Sequence, residues 1–107
     1  MNANASLSNS NVRLEIGHSC YRNLTWECVG GTRDQAVLLT ALLPKLGYAD
    51  ESYDDAVRIF VSPEEHTIVL IPRTGRIQIR IHYLTPAEAR KVAAERVMLD
   101  LSRALAR

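Results

Sequence analysis

The chain lacks any apolar run approaching the roughly 20 residues that cross a bilayer. No membrane role is therefore expected. It is nearly without net charge: the formal balance is +1, so the total exerts no pull toward nucleic acid or a lipid surface. Cysteine is scarce as well. Cys20 and Cys28 are too few for a disulfide framework, and their separation fits no tight zinc spacing. His18, Cys20 and Cys28, with His66 or His82, are the nearest thing to a donor set, and no paired Cys-x-x-Cys supports them. Catalytic motifs are missing too: there is no nucleophile elbow, phosphate loop or His-Glu-x-x-His. These absences imply a chain with no catalytic residues, no bound metal, no cofactor and no small-molecule substrate. The first eleven residues have neither the basic start nor the apolar centre of a secretory signal. They read as a disordered tail, and an intracellular, cytoplasmic location follows as the expectation.

What is present is a pattern. At 107 residues the chain is one domain by size, with 47 % apolar residues to fill one modest core. Residues 12–107 are expected to form it. Val12 to Ile16 alternates as a short strand. Leu24 to Val29 has strand composition, yet a loop tucking Trp26 under the sheet explains it equally well. Gly30-Gly31 breaks that segment, as a linker or as an anion-binding start to a helix. Thr32 with Gln35 forms a capping box for a helix that Pro44 and Gly47 terminate. That helix is apolar nearly all round over Ala36–Leu43, which predicts cover on more than one side. Tyr48 to Asp55 is an acidic loop.

Ala56 to Val61 is the next strand, with Val57, Ile59 and Val61 on one face and Arg58 and Phe60 on the other. After a Ser62-Pro63-Glu64-Glu65 turn, Ile68-Val69-Leu70-Ile71 is an unbroken apolar run of the kind that sits centrally in a sheet. Pro72-Arg73-Thr74-Gly75 closes a second hairpin. Arg76 to Tyr83 alternates almost without error, setting Ile77, Ile79 and Ile81 against Arg76, Gln78, Arg80 and His82. Thr85, Pro86 and Glu88 signal a last helix. Its stripe of Ala93, Ala94, Val97, Met98, Leu101, Ala104 and Leu105 should lie on the sheet face of Val57, Ile59, Ile77, Ile79 and Ile81. Val92 and Leu99 fall on its far side. Together these elements give an α+β fold: an antiparallel meander sheet of three to five strands with two helices packed on one face.

Such a fold leaves one sheet face open. The pattern places Arg58, Phe60, Arg76, Gln78, Arg80 and His82 there. An aromatic with central-strand aliphatics inside a charged rim suits a protein partner or a second copy in a homodimer, and so an adaptor or regulatory role. Arginines with an aromatic also suit DNA or RNA, with guanidinium groups on phosphates and the ring on bases. Val92 and Leu99 offer a possible second interface. Charge is unevenly spread. Residues 1–65 carry five Lys/Arg against nine Asp/Glu, and residues 66–107 carry eight against three. A dipolar chain of this kind can steer a charged partner or dock on its own copy.

Two family resemblances accompany this order. Leu38-Leu39-Thr40-Ala41-Leu42-Leu43-Pro44-Lys45-Leu46-Gly47, the three-strand meander and Thr85-Pro86-Ala87-Glu88-Ala89-Arg90-Lys91-Val92-Ala93-Ala94 resemble the α-β-β-β-α order of a double-stranded-RNA-binding domain. In that family a Ser-Lys-Lys-x-Ala-Lys run opens the last helix and grips phosphates. Thr85, Ala89 and Arg90 occupy the serine, alanine and final lysine positions, whereas Pro86 and Ala87 replace the two leading lysines. Residues 12–105 are also similar in order to one half of the saddle of the TATA-box-binding protein. There a strand precedes the first helix and a long helix backs a sheet that contacts nucleic acid. Both resemblances imply a nucleic-acid-facing sheet or helix.

Overall fold

The computed structural model describes residues 13–16, by their backbone, and residues 24–106. The expected tail over residues 1–11, with His18 and Cys20, lies outside them. Among the described residues six strands form one sheet: β1 (Arg13–Ile16), β2 (Thr25–Val29), β3 (Ala49–Asp50), β4 (Arg58–Val61), β5 (Thr67–Ile71) and β6 (Arg76–Arg80). Their order is β1-β2-β6-β5-β4-β3, antiparallel throughout. Two helices, α1 (Arg33–Leu42) and α2 (Arg90–Leu105), pack on one face and touch each other. The fold is thus the expected α+β arrangement. One strand more than expected comes from Ala49–Asp50, at the start of the segment read as an acidic loop. The open question over residues 24–29 resolves as a strand that brings Trp26 into the core beside Ile79.

The first helix follows its sequence signals closely. The Thr32 hydroxyl accepts from the Gln35 amide at 3.2 Å, and the Gln35 side chain accepts from the Thr32 amide at 3.1 Å. Pro44 cannot continue the α-helical ladder. The chain tightens into a 3-10 turn over Leu43–Leu46 and ends at Gly47 with φ +96°. Its neighbour departs from expectation. Pro86 has ψ 143° and stands outside the helix, a 3-10 turn covers Ala87–Ala89, and α2 begins at Arg90 with no side-chain cap. The Arg90 guanidinium instead donates to the carbonyls of Thr85 (3.0 Å) and Tyr83 (3.4 Å), which holds the connector to the helix.

The core lies between helices and sheet. Ile77 and Ile79 from β6, and Ile81 just past its end, meet Leu39, Leu43, Val97 and Leu101, as the alternation and the helix stripe predict. The phase of β4 is opposite to expectation. Phe60 pairs with Ile68, Arg58 with Leu70, and Ile59 with Val69. Phe60 is therefore on the helix side and 0 % exposed, while Ile59 and Val61 turn to the open face. Both phases of this strand carry apolar residues, so its alternation carries no clear sign. The ring wins because it fills more of the core than an aliphatic side chain does. Val57 precedes the strand and is exposed.

The Gly30-Gly31 break has a packing cause. A Cβ at Gly31 would stand 2.9 Å from the Gly75 carbonyl oxygen and 3.0 Å from Ile77 Cδ1. The turn between β5 and β6 thus lies directly against the entry to α1, where no larger residue fits.

Candidate binding surface

The sheet face away from the helices is assembled from four strands in register. Thr25, Arg80, Thr67 and Val61 form one row across it, and Glu27, Gln78, Val69 and Ile59 the next. Arg76 and Ile71 form a third. The face divides into two halves. Toward β4 it is apolar, with Ile59, Val61, Val69 and Ile71. Toward β2 it is polar, with Thr25, Glu27, Arg76, Gln78 and Arg80. Thr25 and Val69 are buried, Arg76 is exposed, and the others are half-buried.

Glu27 organises the polar half. Its carboxylate accepts from Arg76 Nε (3.2 Å) and Nη2 (3.0 Å), and from the Gln78 amide. This bidentate pairing across strands holds Arg76 further toward its charged form and matches that charge in place. Pattern reasoning overlooked Glu27 because the strand that carries it was ambiguous. The signal was there: Glu27 lies between Trp26 and Cys28, and alternation puts it opposite to both.

Of the six residues expected on this face, three are on it: Arg76, Gln78 and Arg80. Phe60 is core. Arg58 is on the helix side at the sheet margin, its guanidinium 5.7 Å from the centre of the Phe60 ring. The acidic segment folds back to meet it: Arg58 Nη2 lies 2.6 Å from Asp50, Nη1 3.4 Å from Asp55, and Nε donates to the Ser52 hydroxyl. Hydrogen bonds from Ser52, and then the pairing with Arg58, hold the Asp50 carboxyl below its usual range. His82 stands just past β6, where its Nε2 is 3.4 Å from Glu65 and its ring tilts against Tyr83.

A small open cavity of about 190 Å³ adjoins His82, lined by Leu24, Glu65, Thr67, Arg80, Ile81 and Tyr83 as well. At its edge His66 Nδ1 accepts the His82 backbone amide at 3.1 Å. Val92 and Leu99 are exposed on the outer side of α2, as the wheel predicts. Cys28 is buried against the core, and burial followed by the nearby Glu27 charge pushes its thiol up to about 12. Among the described residues no three His, Cys, Asp or Glu side chains come together as metal ligands. Nor is any described helix long and apolar enough to cross a membrane.

No family model, no curated protein and no solved structure matches this chain.

Proposed function

We propose that this chain is a small non-catalytic module that binds a protein partner through its open sheet face. The observation that carries this reading is where the charges go. Arg58 is committed to Asp50 and Asp55, and Arg76 to Glu27. A phosphate platform needs guanidinium groups whose charge is offered outward. Here Arg58 and Arg76 are matched by carboxylates of the same chain, and Arg58 lies off the face. What the face offers is a patch of β-branched and aliphatic side chains, Ile59, Val61, Val69 and Ile71, beside a polar strip. That is the anatomy of a protein contact: an apolar patch beside polar groups, of which Glu27, Arg76 and Gln78 are already paired with one another.

The test separates this reading from nucleic-acid recognition. Wild-type chain and an Ile59→Lys/Val61→Lys variant are used as bait at equal concentration, with the thermal midpoint of each checked first. Loss of a stoichiometric protein partner in a folded variant is the expected result. Labelled single- and double-stranded oligonucleotides are titrated at low and physiological salt in parallel. Tight binding that falls steeply with salt and disappears in Arg76→Ala/Arg80→Ala would transfer the face to nucleic acid. Retention of the partner by the lysine variant removes the face from consideration. Phe60→Ala is not a binding probe, because it opens the core.

A further inference from the structure

The outer side of α1 poses a question that the fold leaves unanswered. Ala36, Leu39 and Leu43 face the sheet and are fully buried. The opposite side carries Val37 (56 % exposed) and Leu38 (46 %), with Ala41 exposed one turn on. The all-round apolar character of this helix predicts a second cover, and no described part of the chain supplies it. Asp34, in the first turn of α1, and Lys45, in the 3-10 turn that continues it, stand exposed at the two ends of this row. Neither makes an ion pair among the described residues.

This row is complementary to itself when reversed. Let a second α1 lie antiparallel, crossing at the level midway between Leu39 and Thr40. Asp34 then meets the partner's Lys45, and Lys45 meets the partner's Asp34. Leu38 faces the partner's Ala41, so a large side chain meets a small one at the crossing, where the backbones must approach. Val37 faces the partner's Leu42, beside an open dent of about 210 Å³ lined by Leu38, Leu42, Lys45, Leu46 and Ala104. Each contact occurs twice, as a two-fold axis requires. The helix dipoles are also opposed. A row with two like charges at its ends, or with its large residue at both crossing positions, would not pair with its own reversal.

We propose that the outer face of α1 is a self-association surface, on which a second copy of the chain packs antiparallel about a two-fold axis. The surface lies on the opposite side of the molecule from the open sheet face. It stands whether or not that face binds a partner, and it leaves that face free.

Charge reversal tests the register. Sedimentation velocity of the wild-type chain over a concentration series should show a species of about twice 12.0 kDa, the mass of one chain. Asp34→Lys alone and Lys45→Asp alone each create two like-charge contacts in the dimer and should weaken it about tenfold or more. Mixing the two variants should restore association, because every Lys–Lys and Asp–Asp contact becomes Lys–Asp in the mixed pair. The double variant Asp34→Lys/Lys45→Asp should self-associate like wild type. The mixture also controls for folding, since an unfolded variant is not rescued by another. A chain that is monomeric at every concentration overturns the proposal. So does a dimer whose affinity neither single reversal changes, or single variants that do not recover on mixing.

Discussion

At the scale of the residue, His66 shows how one hydrogen bond sets a pH dependence. Its Nδ1 accepts the His82 amide, so the ring must be neutral there. Burial is the main cause that lowers its pKa; the charge of His82 also lowers it, and Glu64 opposes both. A histidine whose folded pKa lies below its unfolded value of about 6.5 binds fewer protons folded than unfolded in the interval between the two. Its contribution to stability is complete above the unfolded value and is lost as pH falls through the folded one. The denaturant midpoint of the wild type should therefore drop between pH 7 and pH 5. In His66→Gln, where an amide oxygen replaces the ring acceptor and nothing titrates, that drop should flatten. Equal slopes would show that His66 is not the group responsible.

Phe60 and Arg58 teach the converse at the same scale. Alternation in Arg76–Arg80 is legible because one phase is wholly apolar and the other wholly polar. Val57-Arg58-Ile59-Phe60-Val61 offers apolar residues in both phases, and counting aliphatics chose the wrong one. A buried ring and a paired arginine decided it, and neither the cavity for the ring nor the carboxylates for the arginine is a local property.

At the scale of the element, the two helix starts make a controlled comparison. Both carry a threonine followed three residues later by Gln or Glu. Only at Thr32 do the reciprocal hydrogen bonds form. At Thr85 the following proline adopts an extended ψ, and the helix begins five residues after the threonine. Thr32→Ala should cost about 1 kcal/mol of stability. Thr85→Ala should stay within about 0.5 kcal/mol, as for an ordinary surface change. Chemical denaturation of the two variants checks both, and equal losses would mean that the second box forms in solution. The existence and type of each helix were legible from capping and periodicity. The start of α2 was not, because the connector is held by an arginine reaching back from the helix itself.

At the scale of the whole molecule, the two layers are fastened where the β5–β6 turn meets the entry to α1. Gly75 has φ +80°, and a Cβ on it would stand 2.6 Å from the Thr32 carbonyl carbon and 2.7 Å from the Arg33 amide nitrogen. Gly75→Ala should therefore cost more than about 2 kcal/mol, combining left-handed strain with a backbone clash that no rotamer relieves. A thermal midpoint within a degree or two of wild type would show that turn and helix are not so tightly joined. The charge distribution also changes character at this scale. The sequence separates an acidic first part from a basic second part, yet the folded chain stitches them together, Glu27 with Arg76 and Glu65 with His82. The acidic loop meanwhile turns inward on Arg58.

The sequence by itself determined the α+β class, the single core, the capped first helix and its stop, and the inward isoleucines Ile77, Ile79 and Ile81. Each of these rests on periodicity or on a local backbone constraint, which neighbouring residues in the chain are enough to impose. Only the tertiary structure decided the phase of β4, the partners of Arg58 and Arg76, the need for Gly31 and Gly75, and which side of α1 stays uncovered. Those depend on groups brought together from distant parts of the chain, where volume and charge must be satisfied at once and no local pattern records the outcome.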